Sequence, residues 1–149
     1  MFEVMCSLEL FGKHPHSNEK SKEAVEMAVK ELVKRIGLRE ELRVLKEEYQ
    51  PAEPMEKQPD FFIAAVELLV SVETFEALVG FMIDFGPSHL EILKPHGKVT
   101  LDVNEIESGL NEALFKIQEL DKTLKITANT LLKLQRQGSQ QQNQKESTQ

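Results

Sequence analysis

Apolar residues recur at Val103, Ile106, Leu110, Ala113, Ile117, Leu120, Leu124, Leu131 and Leu134 in steps of three and four, with Thr127 the one polar residue in the series. A seven-residue period held this long reads as a coiled-coil seam, because a helix packed on a globular core drifts off a strict heptad. A helix from Val103 to about Gln135 would span roughly 50 Å at 1.5 Å per residue. A compact domain of this size has a radius of gyration near ~14 Å, so the helix overhangs its own domain. It therefore needs a partner, since an isolated amphipathic helix is only marginally stable in water.

Three partners compete for that helix: the same helix of another subunit, the chain's own sheet, and a different protein. Leu114, Phe115, Ile126, Ala128 and Leu132 widen the apolar surface beyond the seam. The flanking positions Lys116, Asp121, Thr123 and Thr130 carry no evident charge code, which leaves helix number and direction open. We expect the first half, through about Ile117, to pack on the sheet of its own or a neighbouring subunit. Ile117, Leu120, Leu124, Leu131 and Leu134 are expected to form the contact between subunits.

The preceding residues alternate between strand and helix patterns. Phe2, Val4, Cys6, Leu8 and Leu10 share one face of a strand that Gly12 and Pro15 end. Ser17 or Asn18 caps a helix running to about Ile36, with Ala24, Val25, Ala28, Val29, Leu32, Val33 and Ile36 on its apolar side. Leu42–Gln50 reads as a polar strand, followed by a loop punctuated by Pro51, Pro54 and Pro59. Residues 61–72 (FFIAAVELLVSV) are apolar on nearly both faces, as a central strand requires. Thr74 or Glu73 opens a second helix that runs through about Phe85, with Phe75, Leu78, Val79, Met82 and Ile83 as its stripe, and stops at Gly86-Pro87. Residues 88–94 form a last strand, and Asp102 with Glu105 makes the capping pair of the long helix.

Strand, helix, strand, strand, helix, strand is the order of the ferredoxin-like βαββαβ two-layer sandwich, an α+β fold. In that fold the first and third strands are central, and here they are the apolar ones. The second and fourth carry Lys46, Glu47, Glu48, Glu91 and Lys94, as edges should. The helices cover one sheet face, leaving Met5, Phe11, Ile63, Leu69 and Leu93 on the other. The expected organisation is a ferredoxin-like domain over residues 1–97, the long helix over 98–136, and a disordered polar tail over 137–149.

The functional signals are sparse. The loop Gly12-Lys13-His14-Pro15-His16-Ser17-Asn18 leads into a helix N-terminus, where free backbone donors and the dipole favour anions. Lys13, His14, His16, Ser17 and Asn18 are therefore the candidate ligand-binding residues. The order of elements resembles ACT-type sensors and acylphosphatases, some of which bind ligands near this loop. The resemblance is to the fold alone, and the loop lacks the arginine of acylphosphatases. RNA-recognition modules also share the strand order, but they place aromatics within a basic signature on the central strands. Phe61 and Phe62 stand only at the start of the third strand, with no adjacent arginine.

His14, His16, His89 and His96 have no carboxylate or thiolate at ligand spacing, so we expect no metal and no cofactor. No nucleophile elbow, Walker loop or Rossmann glycine pattern occurs, and no enzymatic activity is expected. A net charge of −7 disfavours nucleic acid, whose affinity rests on phosphate contacts. No apolar run is long enough to span a membrane, and one cysteine allows no intramolecular disulfide. These features predict a cytoplasmic, non-catalytic interaction or scaffold protein that forms a homo-oligomer, with a different protein partner as the second use of the helix. An ACT-like small-molecule sensor is the alternative, and an RNA-binding module the third reading.

Overall fold

The computed structural model describes residues 1–13 and 17–146, with side chains through residue 137. It contains β1 (Phe2–Gly12), α1 (Asn18–Gly37), β2 (Leu42–Met55), β3 (Gln58–Val72), α2 (Phe75–Phe85), β4 (His89–Lys94) and α3 (Val103–Glu146). The chain divides into two compact units, Met1–Ala113 and Leu114–Gln149. The first is a mixed α+β unit on one four-stranded antiparallel sheet, ordered β2-β3-β1-β4. The apolar strands β1 and β3 are central, and the charged β2 and β4 are the edges.

The alternation of β1 sets the core. Phe2, Val4, Cys6 and Leu8 are buried on one sheet face beside Ala64, Val66, Leu68, Val70 and Val72 of β3, paired in register as Val4↔Val70 and Cys6↔Leu68. Val25, Val29, Val33 and Ile36 of α1 close over this face. Their spacing of four, four and three keeps them on one side of the helix. Each such side chain contributes ~1.5–3 kcal/mol on full burial. Ala24 and Ala28 are exposed, so the buried stripe is narrower than the pattern suggests.

In α2 the buried face is rotated from the expected one. Leu78 and Phe81 are buried, Phe85 packs against the core with its ring 5.5 Å from that of Phe81, and Met82 is exposed. The cause lies in the sequence FEALVGFMIDF. A helix apolar on almost every side does not mark which side faces inward. Its ends do follow the sequence: the Thr74 hydroxyl accepts from the Ala77 N–H at 3.1 Å, and Gly86 ends the helix at φ 56°, a left-handed conformation suited to glycine.

The proline-punctuated segment is a β-ribbon. β2 continues through Pro51 and Pro54 to Met55, Glu56-Lys57 make the turn, and β3 starts at Gln58. Prolines are tolerated because β2 is an edge and its register shifts between Gln50 and Glu53 and again between Pro54 and Met55. Ala52, within the first shift, is buried, and its N–H donates to Glu26 Oε1 of α1 at 3.0 Å. A donor released from the ladder thus finds a carboxylate instead.

The opposite sheet face mixes apolar residues with acids. Met5 lies opposite Leu69 and Phe11 opposite Ile63. Met5, Ile63, Leu69 and Leu93 are half-buried, and Phe11 is 68% exposed. Around them stand Glu3, Glu9, Glu48, Glu53, Glu67 and Glu91, placed by the pairing register. Lys94 pairs with Glu3 across β1 and β4 at 3.0 Å, and Lys46 with Glu48 at 3.3 Å.

The expected capping pair opens α3: the Asp102 N–H donates to Glu105 Oε2 at 2.8 Å and the Glu105 N–H to Asp102 Oδ1 at 2.9 Å. Within this unit the first turns of α3 meet α2. Gly109 is buried, and a Cβ there would lie 2.6 Å from the Phe75 ring. A Cβ at Gly80 would lie 3.3 Å from Glu112 Oε1. Glycines on both helices permit the approach, a signal the heptad pattern hides.

The second unit is helical to Glu146, past residue 136, where the polar composition suggested an end. No proline interrupts it, and Gly138 costs only ~1 kcal/mol relative to alanine in a helix. Glu119–Lys122 at 2.8 Å and Asp121–Lys125 at 2.6 Å are pairs at helical spacing. No described helix is long and apolar enough to cross a membrane.

Candidate functional site

The seam residues form a stripe of exposed apolar surface. Ile117, Leu120, Leu124, Leu131 and Leu134 are each more than half exposed, as are Leu114, Phe115, Ile126 and Leu132. In the first unit Val103, Ile106 and Leu110 are also exposed, because α3 turns Gly109 and Glu112 toward α2 instead. Soluble chains rarely leave so many large apolar side chains contiguous, and such patches mark interaction surfaces.

The loop residues are placed separately. Lys13 Nζ lies 3.1 Å from Asp60 Oδ2 and 5.7 Å from the Phe61 ring centroid, so its charge is directed to β3. Ser17 is the N-cap of α1: its hydroxyl accepts from the Lys20 N–H at 3.4 Å, and its carbonyl accepts from the Ser21 hydroxyl at 2.9 Å. Asn18 is the exposed first residue of α1. His14 and His16 lie outside the described residues. The partnership of Lys13 with Asp60 spans 47 positions and depends on the register Gly12↔Phe62. Local sequence carries no sign of it. Both groups are exposed, and such a pair is worth ~0–1 kcal/mol.

A cleft of about 330 Å³ in the first unit was not anticipated. Its floor is Leu42, Ala77, Gly80, Phe81 and Phe85, and its rim is Arg39, Glu41, Thr74, Glu76, Asp84 and Glu112. Arg39 is ion-paired with Asp84, and Thr74 is engaged as the α2 cap. The sequence trace is the spacing Glu76, Gly80, Asp84, one helix face on which glycine leaves room for Glu112. With four carboxylates against one guanidinium, the cleft favours cationic groups. Among the described residues its lining includes no Ser, Cys, His or Lys.

Among the described residues two groups have shifted acidities. Burial pushes the Cys6 thiol up to about 11, which leaves it protonated and inert at neutral pH. Tyr49 is raised by desolvation, then by the hydrogen bond it donates to Glu47 at 3.1 Å and by that carboxylate's charge. His89 opens β4 opposite Ser7. Among the described residues no three His, Cys, Asp or Glu side chains come together as metal ligands would.

Comparison with curated proteins and with solved structures returns no match. A family model described as the MJ0538 family matches residues 16–142, from just before α1 into the distal part of α3. The match covers most of the chain, and the protein belongs to that family.

Proposed function

We propose that this protein is a non-catalytic oligomeric scaffold: a ferredoxin-like βαββαβ domain that assembles through its C-terminal helix and, secondarily, through its open sheet face. The observation that carries the reading is the exposed apolar stripe of α3. Ile117, Leu120, Leu124, Leu131 and Leu134 are each more than half exposed. Burying the exposed part of these five, roughly 500 Å² of surface, would contribute about 13 kcal/mol per chain at ~25 cal/mol per Å² as an upper bound. That is comparable with the whole net stability of a small domain.

The fold assignment is supported by the element order and by central β1 and β3 between edges β2 and β4. That is the pattern of two interleaved split βαβ units. The open face, with Met5, Leu69, Ile63 and Phe11 amid six glutamates, suits a protein partner better than a phosphodiester, whose charge it repels. A lone buried cysteine suits a reducing compartment such as the cytoplasm.

Light scattering on the purified chain tests the reading. An oligomer is expected at micromolar concentration, with Leu120→Glu/Leu124→Glu raising the dissociation constant at least about 100-fold by placing charges in the seam. A clean monomer at that concentration would overturn it.

A further inference from the structure

The residues flanking the seam carry no pairwise code, but the charges of α3 taken along its length are segregated. From Asp102 to Asp121 the chain holds six carboxylates (Asp102, Glu105, Glu107, Glu112, Glu119, Asp121) and one lysine. From Lys122 to Arg136 it holds Lys122, Lys125, Lys133 and Arg136 and no carboxylate. Lys122 and Lys125 pair within the helix with Glu119 and Asp121. Lys133 and Arg136 have no carboxylate three or four positions away, and Glu107 has no cation at that spacing. The helix therefore has an acidic proximal end and a basic distal end. Two such helices side by side repel when parallel and attract when antiparallel.

The seam itself makes the same choice. Its weak positions are Ala113 and Thr127, both at d when Val103 is a. A parallel pair stacks like on like, so Ala113 would meet Ala113 of the second copy and Thr127 would meet Thr127, leaving two underfilled layers. Antiparallel, with the whole seam overlapped, every a faces a d. Val103 then meets Leu134 of the second copy, Ile106 meets Leu131, Leu110 meets Thr127, Ala113 meets Leu124, and Ile117 meets Leu120. Each small residue faces a leucine, which fills the layers more evenly. The proximal seam residues Val103, Ile106 and Leu110 are exposed, and the same register brings Lys133 and Arg136 alongside Asp102 and Glu105.

We infer that α3 pairs with α3 of a second copy in antiparallel orientation, over Val103–Leu134. The inference rests on the oligomeric reading above and adds its polarity and register.

Cysteine crosslinking tests it. Ile106→Cys and Leu131→Cys are made singly in the full chain; native Cys6 stays, being buried. Each variant is oxidised alone, and then the two are mixed under reducing conditions and oxidised together. Neither should link alone, and the mixture should give a disulfide-linked dimer of one of each. In addition, the dissociation constant of the native protein should rise several-fold between low salt and 0.5 M salt, as screened attraction requires. Self-linking of either variant alone, or affinity that grows with salt, would show a parallel pair and overturn the inference while leaving the oligomer intact. An oligomer in which the mixture does not link would overturn the register and with it the full overlap. A monomer by light scattering would overturn the oligomeric reading itself.

Discussion

Gly109 is where α3 comes closest to α2, and replacing it isolates that contact. A Cβ built on Gly109 would lie 2.6 Å from both Cδ1 and Cε1 of Phe75 and 3.5 Å from Val79 Cγ2. Carbon atoms prefer roughly 3.5–4.0 Å, so the ring must move by about 1 Å. Phe75 is half-buried against the core, so it can move only by giving up packing or by pushing α3 away. Overpacking of this kind costs ~1–3 kcal/mol. Against it stands the gain of ~1 kcal/mol from replacing glycine by alanine inside a helix. Gly109→Ala should therefore be destabilising by about 1 kcal/mol, a fall of roughly 4 °C in Tm for a unit of this size. The decisive assay is a double-mutant cycle in urea. In the Phe75→Ala background the clash is gone, only the propensity term remains, and Gly109→Ala should become stabilising by about 1 kcal/mol. A coupling energy near 2 kcal/mol is thus expected between the two positions. If Gly109→Ala changes stability equally in both backgrounds, α2 and α3 do not pack as described.

Three further outcomes follow from single contacts. Glu26→Ala strips the acceptor from the buried Ala52 N–H and should cost ~1–3 kcal/mol in urea unfolding, whereas Glu26→Gln, whose amide oxygen still accepts, should cost less than half as much. The raised Cys6 pKa makes the folded state hold its proton where the unfolded state has lost it. Stability should be unaffected below about pH 9 and then fall as pH rises toward about 11, by up to ~1.4 kcal/mol per pH unit, and Cys6→Ala should remove that part of the decline. In the native protein at pH 8, Cys6 should react with a small disulfide reagent at least about 100-fold more slowly than in urea, the behaviour of a buried protonated thiol.

What was legible in the sequence depended on how much each pattern discriminates. The alternation of β1 left one solution, because a slip of one residue would put Val4, Cys6 and Leu8 into water. The capping groups Ser17, Thr74 and Asp102 with Glu105 were readable because a cap is a local contact three residues long. The α2 face was not, because its sequence lacks the polar side that orients a helix. The ribbon through Pro51 and Pro54 was missed for a related reason. Proline forbids a place in a ladder only where its partner needs an N–H, and that depends on the edge position and register shifts of β2. Likewise the acidic cleft and the Lys13–Asp60 pair join segments that meet only once the sheet exists.

The long helix shows how the two kinds of information divide. Its heptad was visible in the sequence, but the heptad alone could not say which residues the domain claims for itself. Within the first unit, Gly109 and Glu112 face α2, and Val103, Ile106 and Leu110 are exposed. The domain therefore holds α3 by a different face from the one that carries the repeat. A helix serving only its own fold would have no reason to keep a strict apolar period through residues as exposed as Val103, Ile106 and Leu110. Each exposed leucine on that side carries an aggregation risk, and the risk is offset only if a defined partner covers the stripe. The separation of the two faces within the first unit, more than the length of the helix, is what supports the proposed assembly through α3.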